Sequence, residues 1–202
     1  INLDNIKLSV TKNTKYNINF KENFKKYNIK SDSNGIYIDT AIISYLFLKR
    51  FIKNFHSENF FYAKSIIDSR GKVIKKRYNN KIIKIYDHSY NSSPYSLKKQ
   101  LFFFNQKKIS KKLCIIGSMK ELGNNSSNYH IEILDIISSY NLGKIIFIGD
   151  EFFKLKDIYK IYKFYKSYKH YTKVMNRDLN NSKNIFVMGS RSNQLEKIIE
   201  KI

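Results

Sequence analysis

Three times in the second half of the chain, a short run of apolar residues ends in a glycine and gives way to a helical pattern. Lys112–Ile116 leads to Gly117 and the amphipathic stretch Ser126–Tyr140. Lys144–Ile148 leads to Gly149 and Glu151–Lys169, and Asn184–Met188 leads to Gly189 and Ser192–Lys201. Strand, glycine, helix, repeated in this way, predicts an α/β fold with a mostly parallel sheet and helices on its faces. In such sheets the ligand crevice lies beyond the carboxyl ends of the strands, so the loops at Gly117, Gly149 and Gly189 are expected to gather there.

The upstream residues read differently. Residues 1–34 suggest short strands and polar turns, with Tyr16–Phe20 alternating as a strand does, and apolar spacing from Ile36 to Phe51 predicts one buried helix. Lys72–Tyr78 and Lys81–Tyr86 are β-branched runs separated by Asn79-Asn80, which predicts a hairpin or neighbouring strands. Pro94 suits a helix start, since its missing N–H costs little there, and Tyr95–Phe104 continues as a helix.

Charge is the tempting clue to function. The 202 residues carry 38 Lys and Arg against 16 Asp and Glu, a formal net charge of +22, which is the electrostatic footprint of a nucleic-acid binder. Yet 33 of those cations are Lys and only 5 are Arg, and Asn, Ile, Tyr and Phe are abundant while Ala and Pro are scarce. These are the residues of A/T-rich codons, and Arg, the side chain suited to planar recognition of bases and phosphates, is the one in short supply. Codon drift accounts for the excess, and no specific nucleic-acid partner is expected. Tyr159, Tyr162, Tyr165, Tyr168 and Tyr171 interleave with lysines, a pattern that can stack single strands. The favoured reading instead makes Glu151–Lys169 a helix with Ile158, Ile161 and some of the Tyr rings facing the sheet and its lysines facing water.

One cysteine, Cys114, allows no internal disulfide, and His56, His88, His130 and His170 are dispersed, so no metal site is expected. No apolar run approaches the roughly 20 residues of a membrane span. A cytoplasmic monomer with no membrane partner is the expectation. The first residue is Ile1 rather than Met, and the chain is expected to be part of a longer reading frame. Neither G-x-x-x-x-G-K-[ST] nor G-x-G-x-x-G occurs, so the chain has neither sequence signature of a phosphate loop.

Three segments nonetheless share a pattern: Asp87-His88-Ser89-Tyr90-Asn91-Ser92-Ser93-Pro94; Gly117-Ser118-Met119-Lys120-Glu121-Leu122-Gly123 with Ser126 and His130; and Gly189-Ser190-Arg191-Ser192. In this order they resemble the Mur ligase family, in which the segments commonly read D-D-S-Y-N-A-N-P, G-D-M-x-E-L-G-x-x-S-x-x-x-H and K-G-S-R. The resemblance covers about residues 36 to 202, and Ser69-Arg70-Gly71 adds to it at the position of the family's hinge Gly-Arg pair. The chain departs from the pattern with His88 for the second aspartate, Ser93 for the second Asn, Ser118 for the Asp of G-D-M and Met188 for the Lys of K-G-S-R. Asp39 stands where the family usually has Asn, and the stretch from Tyr171 to Asn184 is short. This profile suggests a fast-evolving or degraded copy.

The resemblance implies a Rossmann-like C-terminal domain at 70–202, preceded at 1–69 by the tail of a central ATP-binding domain without its phosphate loop. It implies ATP and Mg²⁺ as cofactors, held mainly by an upstream part, and the formation of an amide between UDP-N-acetylmuramoyl-tripeptide and D-alanyl-D-alanine for peptidoglycan. Arg70, Asp87, His88, Tyr90 and Asn91 are the implied nucleotide-binding residues; Glu121, His130, Ser190 and Arg191 are the implied substrate-binding residues. No self-sufficient catalytic residue is expected. Arg70 reads as a phosphate contact or as a solvated loop charge, His130 as an orienting group for its loop or a proton carrier, and Glu121 as a loop cap or a partner for an ammonium. A binding module that keeps the fold without the chemistry, and a basic nucleic-acid-associated domain, are the alternatives to the ligase.

Overall fold

The computed structural model describes residues 8–11, 16–22, 25–31, 44, 47–52 and 69–202. The chain divides into two compact units, residues 1–65 and 66–202. In the first, β1 (Leu8–Thr11), β2 (Tyr16–Glu22) and β3 (Lys25–Ser31) form an antiparallel sheet in that order, with Ile18 of β2 between Val10 and Ile29 in register. Residues 44 and 47–51 are helical, and the rest of the helix expected at 36–51, Asp39 included, lies outside the described residues.

The second unit is built on six strands in the order β4-β5-β9-β6-β7-β8. The hairpin of β4 (Lys72–Tyr78) and β5 (Lys81–His88) is antiparallel, and it turns at Asn79 and Asn80, which take φ of 44° and 59°. Paired positive φ is the twist a two-residue hairpin needs, and Asn tolerates it. Every other pairing is parallel: β9 (Asn184–Met188) lies between β5 and β6 (Lys112–Gly117), and β7 (Lys144–Ile148) joins β6 to the edge strand β8 (Lys163–Tyr165). The three strands read from sequence are thus adjacent and parallel.

Side chains alternate across this sheet and fill two cores. Cys114, Ile116, Phe147, Phe186 and Met188 pack with Leu97, Leu101 and Phe104 of α1 (Pro94–Gln106) and Ile133, Leu134 and Ile137 of α2 (Ser126–Ser138). Leu113, Ile115, Ile146, Ile148, Ile185 and Val187 pack on the opposite face with Tyr171 of α4 (Tyr168–Thr172), Leu179 of α5 (Asn176–Asn181) and Ile198 and Ile199 of α6 (Glu196–Glu200). All six residues of β6 are buried, as expected of a strand covered on both faces.

The structure replaces two expected helices. Where Glu151–Lys169 was to be one helix, α3 (Asp150–Phe153) is a single turn, followed by turns, β8 and α4. Period-three tyrosines drift around a helix, whereas the Lys163–Tyr165 segment can pair with the open edge of β7 and stack Phe164 on Phe147 at 5.1 Å. Ile158 and Ile161, expected to face the sheet, are exposed. The last helix is also shortened: Arg191–Asn193 forms a 3-10 turn, and Gln194 in the left-handed region (φ 52°) breaks the path before α6.

Candidate functional site

The chain runs β5, β6, β7, β8 toward one edge and then returns to place β9 between β5 and β6. The segment after β6 leads to α2 on one face of the sheet, and the segment after β9 leads to α6 on the other. Their divergence makes the switch point at which open α/β sheets bind ligands. Here the two strand ends come very close: a Cβ on Gly189 would stand 2.7 Å from Gly117 Cα. Glycine at 189 lets the backbones approach in this way, whereas a Cβ on Gly117 would meet the side chains of Leu195 (3.0 Å) and Asn193 (3.1 Å).

Buried polar groups stitch the loops of this crevice together. Ser190 donates its backbone N–H to the Ser118 carbonyl (3.3 Å), Lys120 donates its N–H to Ser190 Oγ (2.9 Å), and Asn193 Nδ2 donates to the carbonyls of Ser118 (2.7 Å) and Ser190 (2.9 Å). Asn193, which the sequence reading did not single out, thereby joins the ends of β6 and β9. Its only sequence signal was its place four residues beyond the last strand's glycine. Ser118, fully buried, also accepts the N–H of Phe152 on its Oγ (3.2 Å). That is a helix cap supplied from the loop after a neighbouring strand. Gly149, the residue at the cap position of α3, has φ 109° and a Cβ direction filled by Asn193 and Ser118, so it can supply none of its own.

His130 belongs to this framework. It is fully buried, its Nε2 accepts the Met119 N–H (3.0 Å), and its Nδ1 donates to the Ser126 carbonyl (2.6 Å), which fixes the neutral tautomer with the proton on Nδ1. Burial holds its pKa below the usual histidine value. Both nitrogens are engaged within the chain, where they hold the loop before α2. Glu121 is exposed in the same loop with φ 62°.

Because β4 is antiparallel to β5 and Lys72 pairs with Asp87, the segment before β4 arrives at the carboxyl edge. Gly71 donates its N–H to the Asp87 carbonyl (2.6 Å) and Tyr90 donates its N–H to the Ser69 carbonyl (3.1 Å), so Arg70 is held beside the loop after β5. Three predicted residues meet there: the Arg70 guanidinium lies 4.1 Å from the centre of the Tyr90 ring, and that of Arg191 lies 5.4 Å from it. Two guanidiniums beside one aromatic ring gather positive charge at this edge, an arrangement suited to an anion.

The other residues of this loop are turned to local structure. Asp87 Oδ1 accepts the N–H (3.0 Å) and hydroxyl (2.7 Å) of Ser89. Asn91 Oδ1 accepts the Ser92 N–H (2.8 Å), and Ser93 caps α1 through a reciprocal pair with Ser96. His88 is buried against Phe186, ring centres 5.4 Å apart. Desolvation lowers its pKa to about 4, with Lys107 adding to the effect and Asp87 opposing it. His88 is therefore neutral at neutral pH.

No family model matches the chain. Two curated relatives are both UDP-N-acetylmuramoyl-tripeptide--D-alanyl-D-alanine ligases. That of Rickettsia prowazekii is 32% identical over 139 residues, covering 67% of this chain and 30% of the relative; that of Borreliella burgdorferi is 31% identical over 94 residues, covering 45% and 20%. The chain belongs to the Mur ligase family. It spans about 30% of the length of the first relative, in the C-terminal part. MurF from Acinetobacter baumannii shares the fold, with a TM-score of 0.80 over 98% of this chain and 44% of that one at 15% identity. MurF ligase from Thermotoga maritima, solved with ADP, gives 0.70 over 97% and 45% at 16% identity.

Against the Mur ligase pattern, three of the departures fall on buried positions. His88, Ser118 and Met188, which stand where the family carries charge, are 7%, 0% and 3% exposed. Each replacement is neutral and packed or hydrogen-bonded, so the Mur ligase fold is kept without charges in these places. Ser93 keeps the capping function that Asn serves equally well.

Proposed function

We propose that the chain is the closing and positioning part of an ATP-dependent ligase that joins D-alanyl-D-alanine to UDP-N-acetylmuramoyl-tripeptide in peptidoglycan synthesis. Residues 70–202 act as its C-terminal domain and 1–69 as the tail of its central domain. The observation that supports this most is the convergence of Arg70, Tyr90 and Arg191 at the carboxyl edge, in a chain whose curated relatives bear that ligase name.

In the reaction, the γ-phosphoryl group of ATP passes to the terminal carboxylate of the tripeptide and ADP leaves. The amine of the dipeptide then attacks the acyl carbon, the amide bond forms, and phosphate departs as the attacking nitrogen loses a proton. Among the described residues no group of three or more His, Cys, Asp or Glu side chains fits a metal ion. The Mg²⁺ and the phosphate loop that this chemistry uses are assigned to an upstream part. Arg70 is placed to meet nucleotide phosphate and Arg191 to meet a substrate carboxylate, while the stitched crevice holds Arg191 in position and limits the freedom of the reacting groups. Glu121, exposed on the loop beside that crevice, is placed to meet the dipeptide's ammonium.

A chimera carrying the upstream part of the Rickettsia prowazekii ligase tests this. Phosphate release that requires ATP, the UDP-sugar tripeptide and the dipeptide together is the expected result, with a loss of at least about tenfold in Arg191→Ala. Release that ignores the dipeptide would refute the assignment.

A further inference from the structure

Residues 154–162, between α3 and β8, turn the expected pattern inside out. Leu155 is buried, Tyr159 donates its hydroxyl to Asp135 Oδ1 (2.8 Å), and the Tyr162 ring meets Phe147 edge-on at 5.5 Å. The backbone is tied by Ile158 N–H and Tyr159 N–H to the Leu155 carbonyl and by Tyr162 N–H to the Tyr159 carbonyl, each at 3.1 Å. With the tyrosines held inward, Ile158 and Ile161 stand outside, 71% and 81% exposed, more than any other large hydrophobic side chain among the described residues.

Exposed lysines flank the pair in sequence: Lys156, Lys160 and Lys163, with Lys154 paired to Glu151 (3.0 Å) and Asp157 the single acid of residues 154–163. Isoleucine gains nothing from water or from a phosphate backbone, and the rings that would stack bases point the other way. Apolar tips on a lysine-rich segment match the boundary between lipid headgroups and acyl chains, where the apolar tips are buried and the cations meet anionic phosphates.

We propose that residues 154–163 dock the chain on an anionic membrane surface, with Ile158 and Ile161 entering the headgroup boundary. Surface docking requires no spanning helix, and none of the described helices is long and apolar enough to cross a membrane. The Arg70–Tyr90–Arg191 cluster stands at the ends of β4, β5 and β9, on the far side of β6 and β7 from the β8 edge, so docking leaves it open.

Co-sedimentation of the 202-residue chain with vesicles tests the proposal, using phosphatidylcholine alone and phosphatidylcholine with about 30% phosphatidylglycerol at about 150 mM salt. The expected result is binding to the anionic vesicles only, with affinity at least about tenfold lower in the Ile158→Ser, Ile161→Ser double variant, which retains every lysine. Equal binding by the double variant and the native chain would overturn the proposal, since a general polycation effect explains that result. So would equal binding to neutral vesicles. If the thermal midpoint of the double variant falls, Lys156→Glu with Lys160→Glu provides the second arm: a loss of similar size supports docking by this loop, and unchanged binding overturns it.

Discussion

The guanidinium of Arg70 stacks on the face of Tyr90, 4.1 Å from the ring centre, although twenty positions separate the two in sequence. Each such cation–π contact is worth about 0.5–1 kcal/mol at an exposed site, and Tyr90 makes two of them. In the chimera that carries the upstream part of the Rickettsia prowazekii ligase, replacing Tyr90 by Ala is expected to weaken ADP binding about three- to tenfold by calorimetry. Unchanged affinity would remove the ring from the site.

Ser118→Ala deletes the acceptor for the Phe152 N–H at the start of α3. The position is fully buried and water cannot replace the hydroxyl, so urea unfolding should show a loss of about 1–2 kcal/mol. A change under about 0.3 kcal/mol would mean that the cap does not hold this turn.

At the close approach of β6 and β9, Gly189→Ala places a methyl 2.7 Å from Gly117 Cα and 2.9 Å from Leu195 Cδ1. Backbone on one side and a packed leucine on the other leave no easy relaxation, and a cost of at least about 2 kcal/mol is expected. A variant as stable as the native chain would show that the strand ends can separate.

Buried His88 titrates near pH 4 in the folded chain and near 6.5 when unfolded. Its folded pKa is the lower one, so its contribution is complete above pH 6.5 and is lost as pH falls toward 4, by up to about 3 kcal/mol. His130 is shifted in the same direction by burial. Stability measured between pH 7 and 4 should therefore decline, and the decline should be shallower in His88→Gln. Identical slopes would exclude His88 as a source.

Nucleic-acid binding should be loose, indifferent to sequence and steeply salt-dependent, as counterion release from a +22 surface dictates. Tyr162 packs on Phe147 and Tyr165 on Tyr171 at 5.2 Å. Changing both to Ala should lower the thermal midpoint and leave DNA affinity nearly unchanged in the folded fraction. A selective loss of about 1–3 kcal/mol per base contact would instead establish stacking.

The parallel sheet was legible because β6, β7 and β9 are short, β-branched and buried on both faces, which leaves local pattern and tertiary environment in agreement. The hairpin was legible for the same reason: Asn79-Asn80 can take the backbone angles that the turn requires. The segment from 151 to 169 misled because its aromatic period suits neither a helix nor a strand, and only the open edge of β7 decided in favour of β8.

For the candidate site, sequence alone singled out Arg70, Tyr90 and Arg191 by the motifs in which they stand. Tertiary structure decided which of the other motif residues face the ligand edge and which hold it together. His130, Ser118, Ser190 and Asn193 spend their polar atoms on backbone groups of neighbouring loops. The physical reason is that a buried donor or acceptor must find its partner wherever the chain brings one, and here those partners come from loops up to 75 positions apart. A local sequence pattern records that a residue is polar; the return of β9 to a place beside β6 determines what it bonds.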